Sequence, residues 1–373
     1  MTALGAHAEA SPRAAPFDLP LDYLVLERAG TENFPVASRL LPARLRSSLM
    51  ALYGWARLVD EIGDNYAGDR LAALDEVERQ LNSALAEAQA GPPAPPAPAA
   101  PPAPAAPPAP AAPLAPAAPL APAAPASPTP PASPTPPAAP TPPAAPTPPA
   151  APATHRLHPL ITQMAGTVRH LDLPVQPLLD LVEANRQDQR VARYQSFPDL
   201  VGYCELSANP VGRSVLSIFG VSTPERANWS DKICTSLQLV EHWQDVAEDA
   251  VVGRIYLPQE DLRRFGVKED DLVPPPADRL ITVRRRRSSA HCRAMMAFEA
   301  ARARRMLNEG APLVKSLRGR LRFAIASFVA GGHAALDALA AVDFDIFADT
   351  PRPAPRQFAL RLASTLTGIG ELP

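Results

Sequence analysis

Three cysteines in 373 residues, Cys204, Cys234 and Cys292, supply neither an even disulfide framework nor the paired spacing of a metal site. Cys204 and Cys234 lie in apolar segments and read as small core residues. Excess charge is missing too: 36 basic and 38 acidic residues leave a formal net charge of −2. That balance gives no global pull toward nucleic acid, and no nucleic-acid-binding signature accompanies it. No glycine-rich fingerprint opens a strand–helix unit, since Gly331, Gly332 and His333 fall inside an apolar helical run. A nicotinamide cofactor is therefore not expected. No Ser/His/Asp arrangement stands out, and His242 reads as a packing residue. The first residues carry His7, Glu9 and Arg13 in place of an apolar leader, so the expected location is cytoplasmic.

Proline, by contrast, is abundant and unevenly placed. Residues 91–153 are almost entirely Pro, Ala, Ser and Thr and hold 29 of the 49 prolines. Proline fixes φ and donates no amide hydrogen, so this segment is expected to be a disordered, extended insert outside any core. About 60 such residues reach up to roughly 190 Å at 3.1 Å each. Two readings stay open: a tether that recruits pathway enzymes through polyproline-binding modules, or a tolerated expansion of a surface loop, which adds little closure entropy. The expected organisation is a flexible N-terminus at 1–16, one helical domain at 17–90 and 154–349 interrupted by the insert at 91–153, and a C-terminal tail at 350–373.

Outside the insert the patterns are helical and strand signals are scarce. Leu74, Val77, Leu81 and Leu85 recur at three to four residues, predicting a helix over 75–88, and 177–193 and 284–308 are similarly rich in Ala, Leu and Arg. The fold class is all-α. The stretch 323–342 has nearly the length of a membrane span, but His333, Asp337 and the glycine pair interrupt it. It is expected to be a buried helix beside a central apolar cavity. Arg284 to Arg287 form a basic run with two readings, a solvated helix start or a contact with anionic lipid headgroups at the membrane periphery.

The most informative residues are two aspartate pairs in apolar surroundings. Asp60 and Asp64 are four apart, as are Asp245 and Asp249, so each pair shares one face of a helix. Tyr53, Arg57, Asp60 and Asp64 step by four, three and four residues beside the apolar line of Leu45, Leu49, Leu52, Ala56, Val59 and Ile62. Gln238, Glu241, Asp245 and Asp249 step by three, four and four. A solvated surface face does not explain the same polar line on two separate, otherwise hydrophobic helices. Hard cations such as magnesium take one or two carboxylates and complete their shell with water and phosphate oxygens. Two opposed carboxylate pairs suit a diphosphate held by several magnesium ions.

Residues 52–64 (LYGWARLVDEIGD), 203–212 (YCELSANPVG) and 237–249 (LQLVEHWQDVAED), followed by 254–261 (RIYLPQED), resemble the motifs of the squalene and phytoene synthases. The likeness covers nearly all of the chain outside the termini and the insert. Within the family it is greatest to the hydroxysqualene-forming, hopanoid-pathway branch, through 32–38, 209–213, 243–246 and 330–332. Where condensing members carry a Ser-Lys-Ser-Phe type segment for a second diphosphate, this chain has Thr31, Glu32, Asn33 and Phe34. Glu32 would repel a second polyanion, which favours a substrate with one diphosphate, presqualene diphosphate. Glu241 stands where the family usually has Asn, either as an added ligand or as a perturbation.

The resemblance implies an isoprenoid synthase fold and a magnesium site, with manganese as the substitute, built from Asp60, Glu61, Asp64, Asp245 and Asp249. It also implies that Arg57 and Arg254 bind phosphate oxygens, that Tyr53, Tyr203 and Tyr256 line the site near the diphosphate, and that Asn209 and Gln238 orient bound water. Two other functions compete: a condensing synthase joining two prenyl diphosphates, and a non-catalytic prenyl-diphosphate-binding subunit that recruits partners through the insert.

Overall fold

Wherever apolar residues recur at three- and four-residue spacing, the chain forms helix, and the ends are set by local chemistry. The computed structural model describes residues 43–89, 157–274, 287–348 and 355–367, which contain thirteen α-helices and no strand beyond an isolated bridge between Arg193 and Ile255. The expectations for residues 1–16, Glu32, Asn33, the insert at 91–153 and Arg284 to Arg286 lie outside the described residues. Arg287, the last of the basic run, donates to Asp343 at 2.7 Å.

Helices α1 (Ala43–Asn65), α2 (Arg70–Gln89), α3 (Pro159–Leu171) and α4 (Gln176–Asp188) share one core. Leu52, Trp55, Val59 and Ile62 of α1 pack there with Leu74, Val77 and Leu81 of α2 and Ile161 and Met164 of α3. Each such side chain contributes about 1.5–3 kcal/mol on burial. The Trp55 indole N–H donates to the Leu178 carbonyl at 3.3 Å, so α1 is fastened to α4 by the polar end of a fully buried ring. The Gln80 side chain on α2 accepts from the His158 backbone at 2.9 Å just before α3. The two helices that flank the insert are thus held together without it.

The second core joins α5 (Phe197–Ser207), α6 (Asn209–Ile218), α7 (Pro224–Gln244), α8 (Val246–Val251), α9 (Gln259–Phe265), α10 (Ala290–Gly310), α11 (Pro312–Ser316) and α12 (Gly319–Ala341). Ser196 caps α5 in a reciprocal capping box with Asp199, and Thr223 and Ser289 cap α7 and α10. All the described helices belong to one compact unit.

α12 is long and apolar enough to cross a bilayer by length and composition, yet it packs against α7, α10 and α11. A Cβ at Gly332 would come within 2.8 Å of Leu237 and 2.9 Å of Leu307, so the glycine allows this approach.

Two boundaries differ from the sequence patterns. The helix expected to reach residue 193 stops at Asp188, because the next residues pair with a distant segment: Ile255 N–H donates to the Ala192 carbonyl at 3.0 Å and Gln259 N–H to that of Tyr194 at 2.9 Å. Within the segment expected as a tail, α13 (Pro355–Thr367) packs on α12. Arg361 reaches Asp337 at 2.9 Å, a carboxylate that also receives Arg304 of α10, and Arg322 donates to the Leu366 carbonyl at 2.6 Å.

Candidate active site

A cavity of about 360 Å³ lies between the two cores. Its body is apolar, with Leu52, Val215, Leu216, Ile233, Ile325 and Phe328 in the wall, while Tyr53, Arg57, Asp60, Gln238 and Glu241 form a polar region. The polar line of α1 therefore does enter the cavity, from Tyr53 to Asp60, one turn before Asp64 reaches the exterior.

Asp60 is held from two sides. Asn185 on α4 donates to its Oδ1 at 3.3 Å and Arg57 lies 3.9 Å from Oδ2. Its side chain, in the cavity lining, is 42 % accessible. Burial pushes the Asp60 carboxyl up to about 6; Asn185 and Arg57 oppose the rise, and Asp64 and Glu241 add to it. Asn185 reaches this position because residue 63 is glycine: a Cβ there would overlap the Asn185 amide oxygen. Gly63→Ala is expected to displace Asn185, reorient Asp60 and lower kcat/KM for a diphosphate substrate by about a hundredfold. An unchanged kcat/KM in a diphosphate-release assay would show that Asn185 does not position Asp60.

The second aspartate pair does not lie on one unbroken helix, contrary to the sequence spacing. α7 ends at Gln244, and Asp245 leaves helical geometry at φ −104°, ψ 11° before α8 begins. Two bonds keep the chain near its course across the break, from Asp245 N–H to the Glu241 carbonyl at 3.1 Å and from Asp249 N–H to the Asp245 carbonyl at 2.8 Å. Asp245 is exposed and Asp249 is half-buried. Burial, then the charge of Asp245, push the Asp249 carboxyl up to about 7, with Arg254 opposing.

Arg254 links the two aspartate regions, and the local sequence explains how. α8 closes with Gly253 at φ 82°, its N–H bonded to the Ala250 carbonyl at 3.1 Å and the Arg254 N–H to that of Asp249 at 2.8 Å. This left-handed cap, which glycine adopts without a Cβ clash, turns the chain back over α8. Arg193 secures the turn by donating to the Gly253 carbonyl at 2.5 Å. Arg254 then donates to Asp64 at 3.3 Å, across 190 positions of sequence.

Tyr203 and Tyr256, expected beside the diphosphate, do not border the cavity but meet at a carboxylate that the sequence reading missed. Asp188, the last residue of α4, accepts from the Tyr203 hydroxyl at 2.6 Å and from the Tyr256 hydroxyl at 3.3 Å. Burial raises the Asp188 carboxyl, while the Tyr203 bond, Arg254 and the Tyr256 bond counter it. Tyr194 stacks on Tyr256 with ring centroids 5.9 Å apart, and His242 lies flat on Tyr256 at 3.7 Å. Burial lowers the His242 imidazole to about 3, so it packs as a neutral ring, with Gln238 3.3 Å from its Nε2. Asn185 and Asp188 share a face of α4 at three-residue spacing; polar groups in a helix carrying Leu178, Leu181 and Val182 were the available signal.

Asn209 is engaged between two helices. It is buried at the start of α6, outside the cavity lining, and its side-chain carbonyl accepts from Thr235 on α7 at 2.9 Å. It fastens α6 to α7. Glu61 is half-buried on α1 next to Asp60. No cluster of three or more His, Cys, Asp or Glu side chains is close enough to hold a metal by itself among the described residues. The donors are nonetheless all oxygens, spread over α1, the end of α7 and α8, and burial leaves two of them short of positive charge. Such a set fits a hard cation whose remaining ligands are water and phosphate.

The profile of squalene/phytoene synthase matches residues 27–120 and 141–359. The hydroxysqualene synthase of Zymomonas mobilis subsp. mobilis is 28% identical over 247 residues, covering 65% of this chain and 59% of the relative. That of Sinorhizobium fredii is 33% identical over 157 residues, 41% of this chain and 49% of the relative. The chain thus spans roughly half the length of these curated relatives. The crystal structure of squalene synthase HpnC from Alicyclobacillus acidocaldarius superposes with a TM-score of 0.61 at 31% identity, covering 87% of this chain and 94% of that one.

Proposed function

We propose that this chain, which belongs to the squalene/phytoene synthase family, ionises presqualene diphosphate in a magnesium-dependent step and releases hydroxysqualene and inorganic diphosphate. One observation carries the reading: Arg57 and Asp60 stand in the wall of an apolar cavity, and Arg254 joins Asp64 to the region of Asp249. A long isoprenoid with one diphosphate needs that division, an apolar body with a charged end. Glu32 supports a substrate with a single diphosphate over a pair of them. The two relatives described above, named as hydroxysqualene synthases, support the same branch.

In this reading Asp60, Glu61, Asp64, Asp245 and Asp249 hold the metal, magnesium or manganese. When bound, the metal supplies neutralisation of the charge that develops on the leaving diphosphate. Arg57 and Arg254 donate to the phosphate oxygens, Arg254 exchanging Asp64 for the substrate. Gln238, in the cavity lining, would orient water beside the diphosphate. The C–O bond breaks with its electron pair on the diphosphate, leaving a cyclopropylcarbinyl cation. Leu52, Leu216, Ile233, Ile325 and Phe328 keep bulk water away while it rearranges. Tyr53 presents its ring to the same cavity, where an aromatic face stabilises positive charge. Water then adds to the rearranged cation, and the proton released goes to the diphosphate formed in the same turnover. A cytoplasmic enzyme delivering its apolar product to the membrane belongs to this proposal.

The test is mass spectrometry of products after incubating the purified full chain and magnesium with presqualene diphosphate, and separately with farnesyl diphosphate, without reductant. Hydroxysqualene from the first substrate alone is the expected result. Presqualene diphosphate formed from the second would move the chain to the condensing branch, and no product from either would favour a binding subunit.

A further inference from the structure

Water capture requires a water molecule inside a cavity built to exclude water, and the apolar part of the wall contains a polar group suited to hold it. Ser207, the last residue of α5, lines the cavity, and its Oγ is covered by protein without a hydrogen-bond partner. An unpaired buried hydroxyl is destabilising, so such groups ordinarily find a partner. The other serine of the lining, Ser230 on α7, already has one in the Cys234 thiol. Burial pushes that thiol up to about 11, which leaves it neutral.

The backbone beside Ser207 is equally short of donors. α5 and α6 are separated by a break at Ala208, where φ is −113° and ψ −49°. Residue 210 is proline, so the Leu206 carbonyl has no amide four residues on to receive. The Val211 N–H, which would serve the Ser207 carbonyl in a continuous helix, goes to the Ala208 carbonyl at 3.2 Å. A water in an apolar cavity is retained when it has two to four polar partners. The Ser207 hydroxyl, turned by one staggered step about its Cα–Cβ bond, would supply one partner, and a carbonyl left without its helical amide at the break would supply the next.

We infer that Ser207 holds the water that captures the rearranged cation, and so determines that this chain forms an alcohol where elimination would form a hydrocarbon. The inference rests on the reaction proposed above. The water oxygen donates a lone pair to the cationic carbon, the new C–O bond forms, and the oxonium proton passes to the released diphosphate. Without a held water, the cation loses a proton from an adjacent carbon to that diphosphate and gains a double bond. Neither route needs an oxidant or a reductant.

The experiment compares the wild-type chain, Ser207→Ala and Ser207→Thr on presqualene diphosphate with magnesium, reading diphosphate release and the alcohol-to-hydrocarbon ratio separately. Ser207→Ala is expected to release diphosphate within about twofold of wild type while its alcohol share falls at least about fivefold, with hydrocarbon replacing it. Ser207→Thr, which keeps the hydroxyl, retains the alcohol. Thermal melting of Ser207→Ala close to that of wild type is expected, which separates a changed product ratio from a damaged fold. An unchanged alcohol share in a folded Ser207→Ala overturns the inference, and so does loss of diphosphate release. Absence of hydroxysqualene from wild type overturns instead the reaction on which it rests.

Discussion

Asp60→Asn and Asp245→Asn are each expected to lower turnover of presqualene diphosphate at saturating magnesium by at least about a thousandfold, with the helical circular dichroism spectrum unchanged. The fold should survive because neither carboxylate holds the structure together. An asparagine at 60 can still accept from Asn185, and burial already pushes the Asp60 carboxyl up to about 6, so a neutral group there relieves strain on the metal-free protein. Asp245 is exposed at the break between α7 and α8. What each variant loses is a formal negative charge toward a hard cation, which an amide oxygen replaces poorly. Activity within about tenfold of wild type in either variant would remove that residue from the proposed metal site.

Arg302→Leu is expected to cost about 3–5 kcal/mol of stability, the penalty for leaving buried carboxylates without their counter-ion. Glu299 is 0 % and Asp261 2 % exposed, and one guanidinium serves both, at 3.1 Å and 3.0 Å. The same guanidinium lies 4.0 Å above the Phe197 ring and 4.5 Å above that of Phe298. Asp261 opens α9 a few residues after Arg254 and Tyr256, so this network fastens the segment carrying them to α10. Burial pushes the Glu299 carboxyl up to about 8, with Asp261 adding to the rise and Arg302 opposing it.

The sign of the pH dependence follows from that rise. A carboxyl raised in the folded state contributes stability that is present below its unfolded value of 4.5 and is lost as pH climbs through about 8. Urea unfolding of the metal-free chain should therefore show stability falling from pH 5 to pH 8, with Glu299→Gln flattening the slope. Arg302→Leu should lose more at pH 8 than at pH 5, where a protonated Glu299 tolerates burial without the cation. A loss below about 1 kcal/mol at pH 8 would mean that water or a neighbouring group takes over the role of Arg302.

Local spacing alone assigns residues to a shared helical face. Leu49, Leu52, Val59 and Ile62 are buried as their spacing requires, and Tyr53, Arg57 and Asp60 form the polar line beside them that enters the cavity. Intervals of three and four residues encode a side of a helix because each turn takes 3.6 residues. The same rule cannot say which helix a face will meet. Asn185 and Asp188 sit on α4 without a local sign of their partners, and only packing against α1, α5 and the segment after α8 brings Asp60, Tyr203 and Tyr256 to them. The helix pattern running past Asp188 was overridden by backbone pairing with Ile255, a distant competitor for the same groups. Four-residue spacing placed Asp245 and Asp249 on one helix, whereas the tertiary structure breaks it at Asp245 and sends Arg254 back to Asp64. Composition along each helix is thus written in the local sequence, but the pairing of charged groups across helices is set by long-range packing, which no local period records.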